Sequence, residues 1–89
     1  MFIVADHFIK DPDAFWSVVK KEMANIPSHL HFHSVFPSND GMRAVCLWDA
    51  ESVEVVDEYL TKTFGDLVRN ECYAVNAEVG VGLPKEQMV

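Results

Sequence analysis

The 89 residues suffice for one domain, 1–89, because chains usually divide into several domains only at well over twice this length. A formal net charge of −7 would repel a phosphate backbone, which argues against a nucleic-acid partner. No apolar run approaches the roughly 20 residues that span a bilayer, and the apolar start from Met1 to Ala5 lacks the basic segment of a signal peptide. These features predict a cytoplasmic protein without a membrane partner.

The first third of the chain predicts a strand followed by a helix. The β-forming residues from Phe2 to Phe8 are too few for a helix with its own caps. Asp11 and Pro12 then supply an N-cap and a first helical residue, and Pro27 ends the helix. Its predicted buried stripe consists of Phe15, Val18, Val19 and Met23.

The middle third predicts a β-hairpin. In the segment His29 to Phe36, one face carries Leu30, Phe32 and Phe36, and the other carries three histidines and Val35. The Asp40-Gly41 pair predicts a tight turn, because both residues tolerate positive backbone dihedrals. Met42 to Asp49 returns as the third strand.

The last third predicts a helix and a strand. Ser52 caps the helix and Gly65 ends it, and the apolar stripe between them consists of Val53, Val56, Leu60 and Phe64. Glu71 to Val79 is the predicted last strand. The residues 80–89, which include two glycines and a proline, are expected to form a loose C-terminal tail.

The order strand–helix–strand–strand–helix–strand predicts an α+β, ferredoxin-like βαββαβ fold, with a four-stranded antiparallel sheet and two helices on one face. The other face of such a sheet is bare. Covering it with a second copy would stabilise so short a chain, so a homodimer is expected. The residues predicted to line the bare face are Val35, Ala44, Cys46 and Trp48.

The hydrophobic pattern also predicts which residues face one another. If Phe32 pairs with Leu47 beneath the helices, His33 lies opposite Cys46 and His31 opposite Trp48. A five-residue loop would instead set His33 opposite Val45. On the last strand, the alternation assigns Tyr73, Val75 and Ala77 to the helices, and Cys72, Asn76 and Glu78 to the bare side.

A row of histidines opposite a cysteine is the candidate site. Imidazole and thiolate suit nickel, zinc or copper, so His33 and Cys46 are the candidate metal ligands. His31 and Trp48, with Asn76 and Glu78 from a second copy, are the candidate ligand-binding residues. The alternatives are an acid–base role for a histidine, and histidines that are solvated or make hydrogen bonds at a subunit contact. Cys46 and Cys72 are expected to be free thiols.

From Phe2 to Pro84 the chain resembles the dimeric α/β-barrel superfamily. The stretch with His33, Asp40-Gly41 and Cys46-Leu47, followed by Trp48-Asp49-Ala50, looks like a bacterial family of small nickel-binding ferredoxin-like proteins. The resemblance implies two sheets packed face to face around a barrel at the dimer centre, with His33 and Cys46 as candidate ligands. Superfamily members include cofactor-free monooxygenases, dehalogenating, decarboxylating and haem-degrading enzymes, and proteins without known activity.

Three functions follow as hypotheses. The leading one is a homodimer that binds a small ligand or a transition-metal ion, nickel or zinc, at the sheet face. The second is a cofactor-independent monooxygenase or isomerase that uses His31 or His33 as its base and Trp48 as a pocket wall. The third is a structural interaction module.

Overall fold

A computed structural model describes residues 1–84 and has the predicted ferredoxin-like fold. The sheet is antiparallel and open, with the strand order β2-β3-β1-β4. None of the helices within residues 1–84 is long and apolar enough to cross a membrane. The elements in chain order are β1 (Phe2–Ile9), α1 (Pro12–Glu22), β2 (His31–Pro37), β3 (Arg43–Asp49), α2 (Val53–Phe64), a 3-10 turn (Gly65–Leu67) and β4 (Val68–Ala74).

Both helices begin at the predicted caps. The Asp11 carboxylate accepts a hydrogen bond from the Ala14 backbone N–H at 3.1 Å, and the Ser52 hydroxyl accepts one from Val55 at 3.3 Å. Each bond satisfies one of the amide groups that a helix start leaves without a partner, which is worth about 1 kcal/mol. The α2 helix ends at Gly65, whose φ of 55° favours glycine.

The hydrophobic core lies between the helices and one face of the sheet. From β1 it takes the alternating residues Ile3, Ala5 and Ile9, all buried. The Phe15 ring of α1 stacks on the Phe64 ring of α2 with their centroids 4.7 Å apart, which ties the two helices together above the sheet.

The prediction of which β3 residues face the helices was wrong. Ala44, Cys46 and Trp48 are buried in the core beneath the helices, whereas Val45 is 38 % exposed on the bare face. The indole of Trp48 buries more apolar surface than the Leu47 side chain, and the small Ala44 and Cys46 allow the helices to approach the sheet.

The predicted register of the hairpin was also wrong, because β2 contains an irregularity between Phe32 and Ser34. Phe32 lies opposite Trp48 and Val35 lies opposite Cys46. The two partners predicted for His33 were Cys46 and Val45, and neither lies opposite it. The irregularity lets Phe32 and Val35, three residues apart, both pack against the core. Phe36, predicted to face the helices, is instead 69 % exposed.

The β2 residues on the bare face of the sheet therefore differ from the predicted ones. Val35 packs against the core, and His31 lies opposite Asp49 rather than Trp48.

The last strand begins and ends earlier than predicted, at Val68 and Ala74. Its faces are reversed as well. Cys72 lies opposite Ala5 and approaches Asp57 of α2, whereas Tyr73 is 57 % exposed on the bare face. The chain leaves the sheet after Ala74, so the assignment of Val75 and Ala77 to a strand face was wrong.

A turn follows β4. The Asn76 side chain accepts a hydrogen bond from the Glu78 backbone N–H at 3.1 Å, and the Asn76 carbonyl accepts one from Gly80 at 3.0 Å. Of the predicted loose tail, 80–84 are described and contain no helix or strand, while 85–89 lie outside the described residues.

Candidate functional site

Within a single chain, the residues proposed from the sequence do not come together in one site. Cys46 and Trp48 lie beneath the helices, while the His33 ring contacts the Phe2 ring, at 5.7 Å between centroids, on the opposite face of the sheet. The other three candidates lie apart from both groups. His31 begins β2, and Asn76 and Glu78 belong to the turn after β4.

This separation removes the geometric basis for metal binding by His33 and Cys46 of one chain. Within residues 1–84 there is no group of three or more His, Cys, Asp or Glu side chains that could hold a metal ion. Binding of nickel or zinc stays a prediction from the sequence, and it would require ligands from a second copy.

The structure brings together a different set of polar residues: His7, Cys46 and Asn70. They lie on three neighbouring strands, β3, β1 and β4, on the face that the helices cover. Asn70 is directly opposite His7 on β4, and Cys46 lies diagonally across from it on β3. The His7 ring is buried against the Phe15 ring, with 5.6 Å between centroids.

The hydrogen bonds of His7 fix its tautomer. The Asn70 Oδ1 atom can only accept, so His7 Nδ1, 2.6 Å away, carries the proton and donates it. In the neutral ring Nε2 is then an acceptor, and it faces the Cys46 thiol, which donates its S–H. The thiol, the imidazole and the amide therefore form one directed chain of hydrogen bonds.

Burial keeps both reactive groups neutral. Burial lowers the pKa of His7 below its ordinary value, opposed by the hydrogen bond that His7 donates to Asn70 and by the negative charge of Asp6. Burial also raises the pKa of the Cys46 thiol to about 12, because the thiolate would be poorly solvated. At neutral pH the pair is accordingly a thiol and an imidazole, not a thiolate and an imidazolium.

A cavity of about 40 Å³ lies above this pair, between the sheet and the helices. A space of that size holds about three or four water-sized groups, since one needs roughly 10–15 Å³. Its walls are mostly apolar and include Met23, which is half exposed. In the same wall the Tyr59 hydroxyl donates a hydrogen bond to the Glu22 carboxylate at 3.3 Å.

The indole of Trp48 lines the same cavity. Its ring packs edge-on against Phe32 and Tyr59, and only 3 % of the residue is exposed. The buried Nε1–H has no hydrogen-bond partner among residues 1–84. This N–H does lie near the Cys46 sulfur, although the contact falls short of hydrogen-bond geometry. It lowers the pKa of the thiol, against the larger effect of burial, which raises that pKa.

Both cysteines are free thiols, as predicted. They lie on the same face, on either side of Ala5, with one strand between them. Two strand spacings separate their Cα atoms by roughly 10 Å, which is beyond the reach of a disulfide. The pKa of Cys72 is raised to about 11 by burial and by Asp57.

Comparisons with protein-family models, with curated proteins and with solved structures found no significant match. The fold therefore rests on the geometry of this chain, and the resemblance to nickel-binding proteins rests on the sequence pattern alone.

Sequence reasoning did not identify His7 and Asn70 as site residues. A signal for His7 was present, because it alternates with Ile3, Ala5 and Ile9 and therefore shares their buried face. A histidine on an apolar face needs partners for its ring nitrogens. Asn70 lacked such a signal, since it precedes the predicted start of the last strand.

Proposed function

We propose that this domain binds a small molecule in the cavity between its helices and its sheet. The ligand has an apolar body and one oxygen that accepts a hydrogen bond, as in a short-chain carbonyl compound. Trp48 lines the cavity, and the observation that carries the proposal is its buried Nε1–H, which has no hydrogen-bond partner among the described residues.

The energetics of buried polar groups support this proposal. A buried donor without a partner costs about 1–3 kcal/mol, so a ligand oxygen that accepts from Trp48 recovers free energy. The surrounding walls, which include Phe15, Val19 and Leu60, favour an apolar body. Of the hypothesised site residues, Trp48 and Cys46 line this cavity, and His31 and His33 do not.

The indole resonance of Trp48 tests the proposal. We expect titration with butanone to shift the Nε1–H signal in a ¹H–¹⁵N spectrum downfield, because the ketone oxygen accepts its hydrogen bond. The spectrum of a Trp16→Phe variant assigns the two indole signals. The Trp16 indole, which does not line this cavity, is the internal control and should move much less.

A hydrocarbon of similar shape, 2-methyl-1-butene, provides the matched ligand control. It fills the same space without an acceptor oxygen, so it should shift nearby methyl signals but not the indole proton in the same direction. An unmoved Trp48 signal with the ketone, or equal shifts of both indoles, would count against the proposed function.

We further propose that the domain is a homodimer that pairs through its bare sheet face, as in a dimeric α/β barrel. Phe36, Val45 and Tyr73 are exposed on that face, and several large exposed apolar residues on one face are typical of interaction surfaces. A second copy presents the same apolar surface to them.

Two free thiols are in keeping with a reducing compartment, which supports a cytoplasmic location.

Light scattering should therefore give twice the chain mass of 10.1 kDa at micromolar concentration. The Tyr73→Glu variant should be a folded monomer, because the new carboxylate would lose its water in the contact. Glu58→Gln, on the exposed side of α2, is the control and should remain dimeric. A wild-type mass of one chain would exclude this dimer.

A further inference from the structure

We propose that Cys46 is a nucleophile for short-chain acyl groups, with His7 as its general base and Trp48 as the donor to the oxyanion. This proposal rests on the proposed function, since the acyl compound would occupy the same cavity. Its basis is the arrangement of the three groups around one space. The Cys46 sulfur and the Trp48 indole line the cavity, and His7 lies in its floor.

The hydrogen-bond chain has the order that a nucleophilic thiol requires. A nucleophile, a base within hydrogen-bond reach and a third group that orients the base are the three parts of this chemistry. Cys46 donates to His7 Nε2, and the Asn70 oxygen holds the proton on Nδ1. Asn70 is thus a positioning residue, because it leaves Nε2 free to take the thiol proton.

The neutral state of the pair is compatible with this chemistry. A neutral hydroxyl or thiol attacks when the adjacent base removes its proton during the reaction. The Cys46 sulfur bonds to the carbonyl carbon of an ester or thioester, and the S–H proton moves to His7 Nε2. The carbonyl electron pair moves onto oxygen, which accepts a hydrogen bond from the indole N–H.

The intermediate then collapses. The carbonyl re-forms, the bond to the alcohol or thiol breaks, and the leaving group takes the proton from His7. Cys46 is left as a thioester. Water can complete the cycle, giving its proton to His7 and its hydroxyl to the acyl carbon, while the Cys46 sulfur leaves and recovers a proton from His7. The net reaction is hydrolysis of a short acyl ester or thioester, without an oxidant or reductant.

Cys72 provides a control within the chain, because burial alone predicts the opposite result. Cys72 is more exposed than Cys46 and has the lower pKa of the two thiols. If Cys46 had no base and no oxyanion donor beside it, Cys72 would therefore react faster than Cys46 with an acyl donor. The proposal predicts that Cys46 reacts faster.

The test uses S-methyl thioacetate as the probe, with intact-mass spectrometry to count acetyl groups. In the Cys72→Ser protein we expect Cys46 to gain one acetyl group at least ten times faster than Cys72 does in the Cys46→Ser protein. His7→Gln should slow the acetylation of Cys46 about 100-fold or more, the usual contribution of a general base. Trp48→Phe, which keeps an aromatic ring but removes the N–H, should slow it by a similar factor.

Asn70 needs a readout that a merely structural residue would not change. Asn70→Ala should slow acetylation and alter the ¹⁵N signature of the His7 tautomer. Asn70→Asp, which restores an acceptor oxygen, should recover both. The circular dichroism of each variant reports whether it is folded. If His7→Gln is unfolded, the acetylation rate of Trp48→Phe decides the test.

Acetylation of Cys46 that is no faster than that of Cys72, or is unchanged by the deciding variant, would overturn the proposal. The butanone titration, repeated on Cys46→Ala, separates this failure from that of the proposed function. If the Trp48 indole still responds, the cavity binds ligands and only the acyl chemistry is wrong. If it does not respond in the wild type either, both proposals fail.

Discussion

The Trp48→Asp variant is expected to be unfolded at 25 °C. Removing a large aromatic side chain from a core costs about 3–5 kcal/mol, and a buried carboxylate adds several more. The sum is comparable to the roughly 5–15 kcal/mol that stabilises a typical domain. Trp48 packs against Phe32 and Tyr59 beneath the helices, so the new charge would lie in mostly apolar surroundings. Circular dichroism should show the loss of helix and sheet.

Val45→Asp is the matched control on the same strand. Val45 points to the bare face, so in the single chain the new carboxylate stays hydrated and the fold should lose only about 1 kcal/mol or less. The same variant should weaken the proposed dimer without unfolding the chain. If Val45→Asp unfolded while Trp48→Asp remained folded, the sheet would present its other face to the helices.

The Phe15→Ala variant should lower the free energy of unfolding by about 3–5 kcal/mol. Phe15 is 2 % exposed, stacks on Phe64 and meets the Trp16 ring edge-on at 4.9 Å. Its removal enlarges the cavity above His7 and takes away one of the contacts that join the two helices. Urea denaturation followed by circular dichroism measures the change in the midpoint.

Met23→Ala at the end of the same helix is the control. The sequence pattern counts Met23 in the buried stripe with Phe15, yet Met23 is 49 % exposed. Its substitution should cost about 1 kcal/mol or less, because little apolar surface returns to water. Equal losses from the two variants would mean that the structure misplaces the α1 face.

The sequence predicted the fold well because its local signals agreed. Asp11, Ser52 and Gly65 mark the helix ends through backbone chemistry that depends on few distant contacts. The strand order then follows from the succession of elements, since a split βαβ pair has few compact arrangements. The homodimer and the metal ion depend on partners, so they stay predictions.

The site was harder to predict because it depends on which face of each strand is buried. On β3, Ala44, Cys46 and Trp48 alternate with Val45 and Leu47, and simple hydrophobicity favours the second set. The structure buries the first set because two small residues and one large ring fit the space under the helices. On β2, an irregularity after Phe32 changes the face of every later residue, and no residue type marks it in advance.

The central claim is that a thiol, an imidazole and an amide form a hydrogen-bonded chain beneath the helices. The protonation state of His7 tests this claim most directly. Long-range ¹H–¹⁵N spectra distinguish the two ring nitrogens of each histidine. We expect neutral His7 to carry its proton on Nδ1, and less than half of His7 to be protonated at pH 6.5, where an ordinary histidine is half protonated, because burial lowers its pKa. Cys46→Ala should change the Nε2 signal and leave the Nδ1 proton in place. A proton on Nε2, or titration like that of an exposed histidine, would contradict the site.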